Sequence, residues 1–158
     1  MGFLIWLEST AYAQWILTGL TGWPLVLTLH AVGLAIAVGI IWALDLRLLG
    51  LYRQIPLSSV NQLISLAWIG IALNIFSGFS LFMTQASFYV TSGPFLIKIG
   101  AIILGIVNLA LLQKILKRDV PKWEAAGGAV ASDGRYLAMG SLALWTVAVV
   151  TGRLIAYL

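Results

Sequence analysis

The chain has 158 residues, of which 61% are hydrophobic and only 9% charged, with a formal net charge of +4 and a mean hydropathy of +1.04. A soluble domain carries roughly 25% charged residues, so an ordinary soluble globule and a disordered tail are excluded, and nine cations spread over the whole chain make no phosphate-binding stripe. Cysteine is absent, which excludes disulfides, thiolate metal sites and covalent c-type haem attachment. The composition is that of an all-α integral membrane protein in one domain.

The first 22 residues do not read as a signal peptide, because no basic segment opens them and Glu8 interrupts the apolar run. Trp6, Trp15 and Trp23 recur near the outer boundary. Interfacial tryptophans predict an N-terminal helix lying along the outer leaflet; a fifth, partial span is the alternative. Pro24 suits a first helical turn, and the apolar run from it predicts span one over 24–50. No charged residue lies between Gln54 and Ile97, a stretch too long for one span. Thr84-Gln85-Ala86-Ser87 and Thr91-Ser92-Gly93-Pro94 break it. Span two is therefore 60–83 and span three 94–116. Lys117 to Arg135 holds charges, Pro121 and the loose Ala125–Gly128 run, which predicts a solvent loop. Span four is 136–157. The fold expected is a four-helix membrane bundle, assembling as a homo-oligomer.

Arg47, Arg53, Lys114, Lys117, Arg118, Lys122 and Arg135 all fall at one end of these spans. The positive-inside rule puts that end in the cytoplasm, with both termini on the outer side.

Three ionisable residues lie within spans near the opposite end: His30, Lys98 and Arg153. At 1.5 Å per residue each sits roughly 6–9 Å below the outer boundary. Ser77 and Ser80 fall at similar depth, and Asn74 lies deeper. Taken singly, Lys98 and Arg153 suit interface anchors that snorkel, and His30 suits an interhelical hydrogen bond. Together they suit a ligand that brings its own negative charge, since no carboxylate shares the layer. Glu8 reaches it only if the N-terminal helix folds over the bundle. Gly33, Ala37 and Ile41 extend one face from His30. Such a face serves helix packing or leaves a groove for a porphyrin plane. Haem b fits the layer: an imidazole for iron, with Lys98 and Arg153 for the propionates. Copper fits less well, because His30 with the scattered Met83 and Met139 forms no soft-ligand set. At the cytoplasmic end, Asp45 is expected to pair with Arg135 or Lys114, bridged by Asn108 or Gln113, as a structural ion pair.

Leu29-His30-Ala31-Val32-Gly33-Leu34-Ala35, Asp45-Leu46-Arg47-Leu48-Leu49-Gly50, Phe95-Leu96-Ile97-Lys98 with Asn108, and Gly152-Arg153-Leu154-Ile155-Ala156-Tyr157 resemble the pattern of a family of small, uncharacterised bacterial four-helix membrane proteins. That resemblance covers nearly the whole chain and implies no function. His30 and Lys98 are also distantly similar to two positions of membrane protoporphyrinogen oxidase and copper-resistance D type proteins. For His30 this resemblance implies ligation of haem b. Many relatives of the small family carry a His near the end of the third span, where this chain has Gln113. A bis-His site is therefore not implied.

The expected function is that of a b-type haem membrane protein in electron transfer or redox sensing, working with a redox partner. Haem-contact residues would be His30, Gly33, Ala37, Lys98 and Arg153, with His30 on the metal. A porphyrinogen-oxidase-like enzyme and a haem-free structural or transport bundle are the alternatives.

Overall fold

The computed structural model describes residues 2–157, and among them every element is helical. Two short helices open the chain, α1 (Gly2–Glu8) and α2 (Ala11–Thr18). Thr10 ends the first and caps the second: its Oγ1 accepts from Ala13 N at 3.3 Å. The single N-terminal helix expected from the tryptophans is thus two. At seven and eight residues they are about 10 and 12 Å long, far short of the roughly 30 Å hydrocarbon core.

Helix α3 (Gly22–Leu48) is the first of four helices long and apolar enough to cross a membrane. A short α4 (Leu57–Gln62) leads into α5 (Ile64–Thr84). The chain breaks at Gln85, within the polar stretch expected to break it, and makes one turn, α6 (Ala86–Tyr89). Next comes α7 (Gly93–Ala125), with Pro94 in its first turn, where the missing N–H goes unused. The chain ends with α8 (Ser132–Leu154). Successive long helices alternate in direction.

The expected solvent loop over 117–135 is corrected in its first half. Helix α7 runs on through Pro121 to Ala125, about 50 Å in all. The reason is packing: Val120 and Trp123 are buried with Leu48, Leu57, Leu116 and Val130 in one apolar cluster. Pro121 removes only one helical hydrogen bond, close to the helix end, where water can replace it. Glu124, one turn further, accepts from the backbone N–H and hydroxyl of Ser58, each at 3.0 Å. Those two donors hold the exposed carboxyl below its ordinary range. They tether α4 to the end of α7.

Helix α3 lies at the centre, packed on α5 to one side and α8 to the other, while α7 packs on α8. The seam of α3 with α5 is built from glycines. A Cβ on Gly70 would stand 2.7 Å from Ala37 N, and one on Gly33 would stand 3.0 Å from Asn74 N. These backbones touch, as small-residue seams in membranes allow. By contrast α5 and α7, among the described residues, do not pack along their length. They meet at the end that carries Arg47 and Lys114, where Trp68 Nε1 donates to Gln113 Oε1 at 3.3 Å. At the other end Phe82 stacks on Phe95, with ring centroids 5.6 Å apart. Between these two contacts the helices leave a hollow.

Helices α1 and α2 fold over α5 and α6. Glu8 Oε1 accepts from Ser87 N at 2.7 Å, so the acid reaches the α6 turn. Tyr12 OH lies 3.0 Å from Ser80 Oγ. Since Ser80 donates to Phe76 O, the tyrosine is the donor.

Candidate functional site, a cavity lined by His30 and Lys98

His30 faces α5. Its Nδ1 is 3.0 Å from Ser77 Oγ, and the Ser77 hydroxyl has one hydrogen. That hydrogen goes to Leu73 O at 2.7 Å, the usual back-bond of a helical serine. Ser77 must therefore accept from His30, so Nδ1 carries the proton and Nε2 holds the lone pair. Among the described residues Nε2 makes no hydrogen bond, and it is not a closed-off buried atom. Asn74 Nδ2 donates to His30 O at 2.8 Å, which fixes this turn of α3. Space for the ring comes from Gly78: a Cβ there would stand 3.3 Å from His30 Cε1.

His30, Lys98 and Arg153 line one cavity of about 890 Å³. Pockets for cofactor-sized molecules run about 300–1,000 Å³. A second hollow of about 430 Å³ runs between α5 and α7 and shares His30, Gly78, Phe82, Phe95 and Lys98 with the first. Its wall is apolar apart from His30, Asn74 and Lys98.

The two cations differ. Lys98 arches over Gly152, where a Cβ would lie 3.3 Å from its Nζ, and among the described residues the ammonium makes no hydrogen bond or salt bridge. Arg153 is exposed; it donates to Tyr157 OH at 3.0 Å, and its guanidinium lies 5.3 Å from that ring centroid. Among the described residues neither cation has an anionic partner; Lys98 is the one without a hydrogen bond, and Arg153 lies at the rim. Tyr89, in the α6 turn, stacks on Phe95 at 5.3 Å. Burial raises its phenol above the ordinary value, so it stays a neutral donor on the cavity wall.

Gly33 is placed elsewhere. It is buried in the seam with α5, so at that residue the small face serves helix packing. Ala37 is also in the seam, and it borders the second hollow at its deep end. Ile41 is fully buried in the core. Sequence reasoning missed Gly78 and the aromatic wall of Phe82, Tyr89 and Phe95. Ser77-Gly78 is one further small pair in a chain with 16 glycines, and only the position of His30 marks it out.

The ion pair expected for Asp45 is not formed. Among the described residues the only salt bridges join Asp119 to Arg118 and Lys122. Lys114 and Arg135 are exposed, whereas Asp45 is 0% exposed. Gln113 is engaged with Trp68. Arg47 turns away, donating to the carbonyls of Ile55 (2.7 Å) and Arg53 (3.2 Å), and so ties down the 50–56 turn.

Among the described residues no group of three or more His, Asp or Glu is placed to hold a metal ion. A metal at His30 would therefore need ligands other than these side chains. Comparison of the chain with protein-family models, with curated proteins and with solved structures gives no match.

Proposed function

We propose that the protein is a b-type haem protein of the bacterial inner membrane, carrying electrons or sensing redox state. One observation carries the reading. The Ser77 contact leaves His30 Nε2 bare in a cavity that also holds an unpaired ammonium. A metal-ligating histidine typically gives its other N–H to an acceptor that sets tautomer and ring angle, and Ser77 Oγ is such an acceptor. Lys98 would meet one propionate. Arg153, released from Tyr157 or shared with it, would meet the other. Phe82 and Phe95 offer the macrocycle an apolar wall. Bound haem b would supply one-electron chemistry. His30 would hold the iron, Lys98 would orient the ring edge, and the aromatic wall would exclude water. With one histidine per chain, any second protein ligand to the iron would come from another residue type or a second copy.

In this reading α1 and α2 lie in the outer interface. Phe3, Trp6 and Leu20, exposed at 69%, 60% and 98%, would dip into the leaflet. A reporter fused after Leu158 is then expected to behave as periplasmic. A cytoplasmic result would reverse the orientation and with it the depth assigned to His30.

Titration of haem-depleted protein in detergent with haemin tests the site. Saturation at one haem per chain is expected. Lys98→Gln should weaken binding more than tenfold, because a hydrogen bond to a charge contributes about 1.5–3 kcal/mol. Arg153→Gln should weaken it less, since Tyr157 already engages that side chain. Arg53→Gln, at the opposite end, should leave it unchanged. Equal and negligible effects at all three positions would reduce Lys98 and Arg153 to interface anchors.

A further inference from the structure

One polar layer is left unexplained by the haem cavity. It lies near the cytoplasmic end of the bundle, where α3, α7 and α8 meet. Asp45 on α3 is fully buried and neither carboxyl oxygen has a hydrogen-bond partner. Ser141 on α8, likewise fully buried, lies beside it, and its hydroxyl has one hydrogen to turn toward the carboxyl. Asn108 on α7 stands at the same level: its Nδ2 would be 3.3 Å from a Cβ on Gly140, the residue before Ser141. Its Oδ1 is buried and unpartnered too. Three helices therefore turn oxygen atoms into one water-excluded layer.

Buried polar groups are nearly always satisfied, and each exception calls for a water, an ion or a function. The Ser141 hydroxyl has one hydrogen to give, while Asp45 and Asn108 bring three acceptor oxygens. A proton on Asp45 would satisfy one of them and leave the amide oxygen bare. A buried carboxylate without a cation is costly, and the cations expected to pair with it are on the outer surface. Ionisable residues inside a membrane bundle generally mark ion or proton positions.

We propose that Asp45, Ser141 and Asn108 form a binding site for a sodium ion. The ligand class follows from the chemistry. Carboxylate, hydroxyl and amide oxygens are hard donors that suit hard cations. The layer holds a single negative charge, so a monovalent ion neutralises it, whereas a divalent ion would leave buried charge. The atoms are tightly enclosed, which favours a small ion. The ion would lock α3, α7 and α8 together below the haem cavity, and it does so whether or not haem is bound.

The test is thermal unfolding of the purified protein in detergent, in sodium chloride against choline chloride at equal ionic strength. Sodium should raise Tm by about 5 °C at saturation, because a ligand that binds only the folded state stabilises it by mass action. Asp45→Asn should abolish the difference. If that variant does not fold, Ser141→Ala serves instead: it keeps the acid, removes one neutral ligand and should raise the half-saturating sodium concentration about tenfold. Equal Tm in both salts for the wild-type protein overturns the proposal and leaves a proton or a trapped water in the layer. A sodium effect that survives undiminished in whichever variant folds also overturns it.

Discussion

His30→Ala is expected to give a folded, membrane-inserted protein that has lost its Soret band or carries one at a changed position. Alanine is well suited to a membrane helix. The substitution frees the Ser77 hydroxyl of a donor, but Ser77 keeps its own bond to Leu73 O, so no hydrogen is left unpaired. The Asn74 bond goes to the His30 backbone carbonyl, which alanine retains. The seam of Gly33 and Gly70 does not involve the imidazole. Stability should therefore change little while the optical signal changes wholly, since no other histidine exists in the chain. Added imidazole should restore part of the signal, because the vacated space lies beside Gly78 and opens on the cavity. The packing account of His30 makes the opposite forecast: altered thermal stability with no optical difference between wild type and mutant.

Gly70→Ile is expected to have a large structural effect at the seam of α3 with α5. The added Cβ would stand 2.7 Å from Ala37 N and 3.0 Å from Gly33 O. Both are backbone atoms, so neither can swing aside, and α5 must move off α3. Overpacking of this kind costs roughly 1–3 kcal/mol or more. Helix α5 also carries Ser77 and Gly78, so its displacement should take the His30 contact with it and abolish haem retention. Gly39→Ile is the control: a Cβ there meets nothing within 4 Å. Detergent-solubilised Gly70→Ile should melt well below wild type, and Gly39→Ile should match it. Equal melting of both variants would mean that the glycine seam does not set the packing.

The contrast between these sites shows what a sequence discloses. Apolar run length and polar breaks locate the four long helices within a few residues, the C-terminal end of α7 excepted, because spanning a bilayer sets a length directly. Depth arithmetic brought His30, Lys98 and Arg153 to one level, and they do line one cavity. Which side of His30 the cavity lies on was not legible. Gly33 and Ala37 share its helical face, but face alone does not reveal that α5 fills it. That depends on Gly70, thirty-seven positions further on in the chain. Pro121 misled for the complementary reason: a local breaker was overridden by the burial of Val120 and Trp123. Asp45 was misassigned because charge pairing was inferred from depth. Depth says nothing of rotation about the helix axis, and rotation leaves Lys114 and Arg135 exposed on the surface. Tyr157, by contrast, was within reach of sequence reasoning, lying one turn from Arg153, the i,i+4 spacing at which helical side chains meet.

We propose that His30 Nε2 ligates a haem iron. The most direct test is the visible absorption spectrum of wild-type protein, purified in detergent from haem-replete cells, oxidised and then reduced with dithionite. The account predicts a Soret band that shifts on reduction, with α and β bands of b-type character, at up to one haem per chain. A protein with tryptophan absorbance alone, unchanged on reduction and still colourless after incubation with haemin, would contradict it.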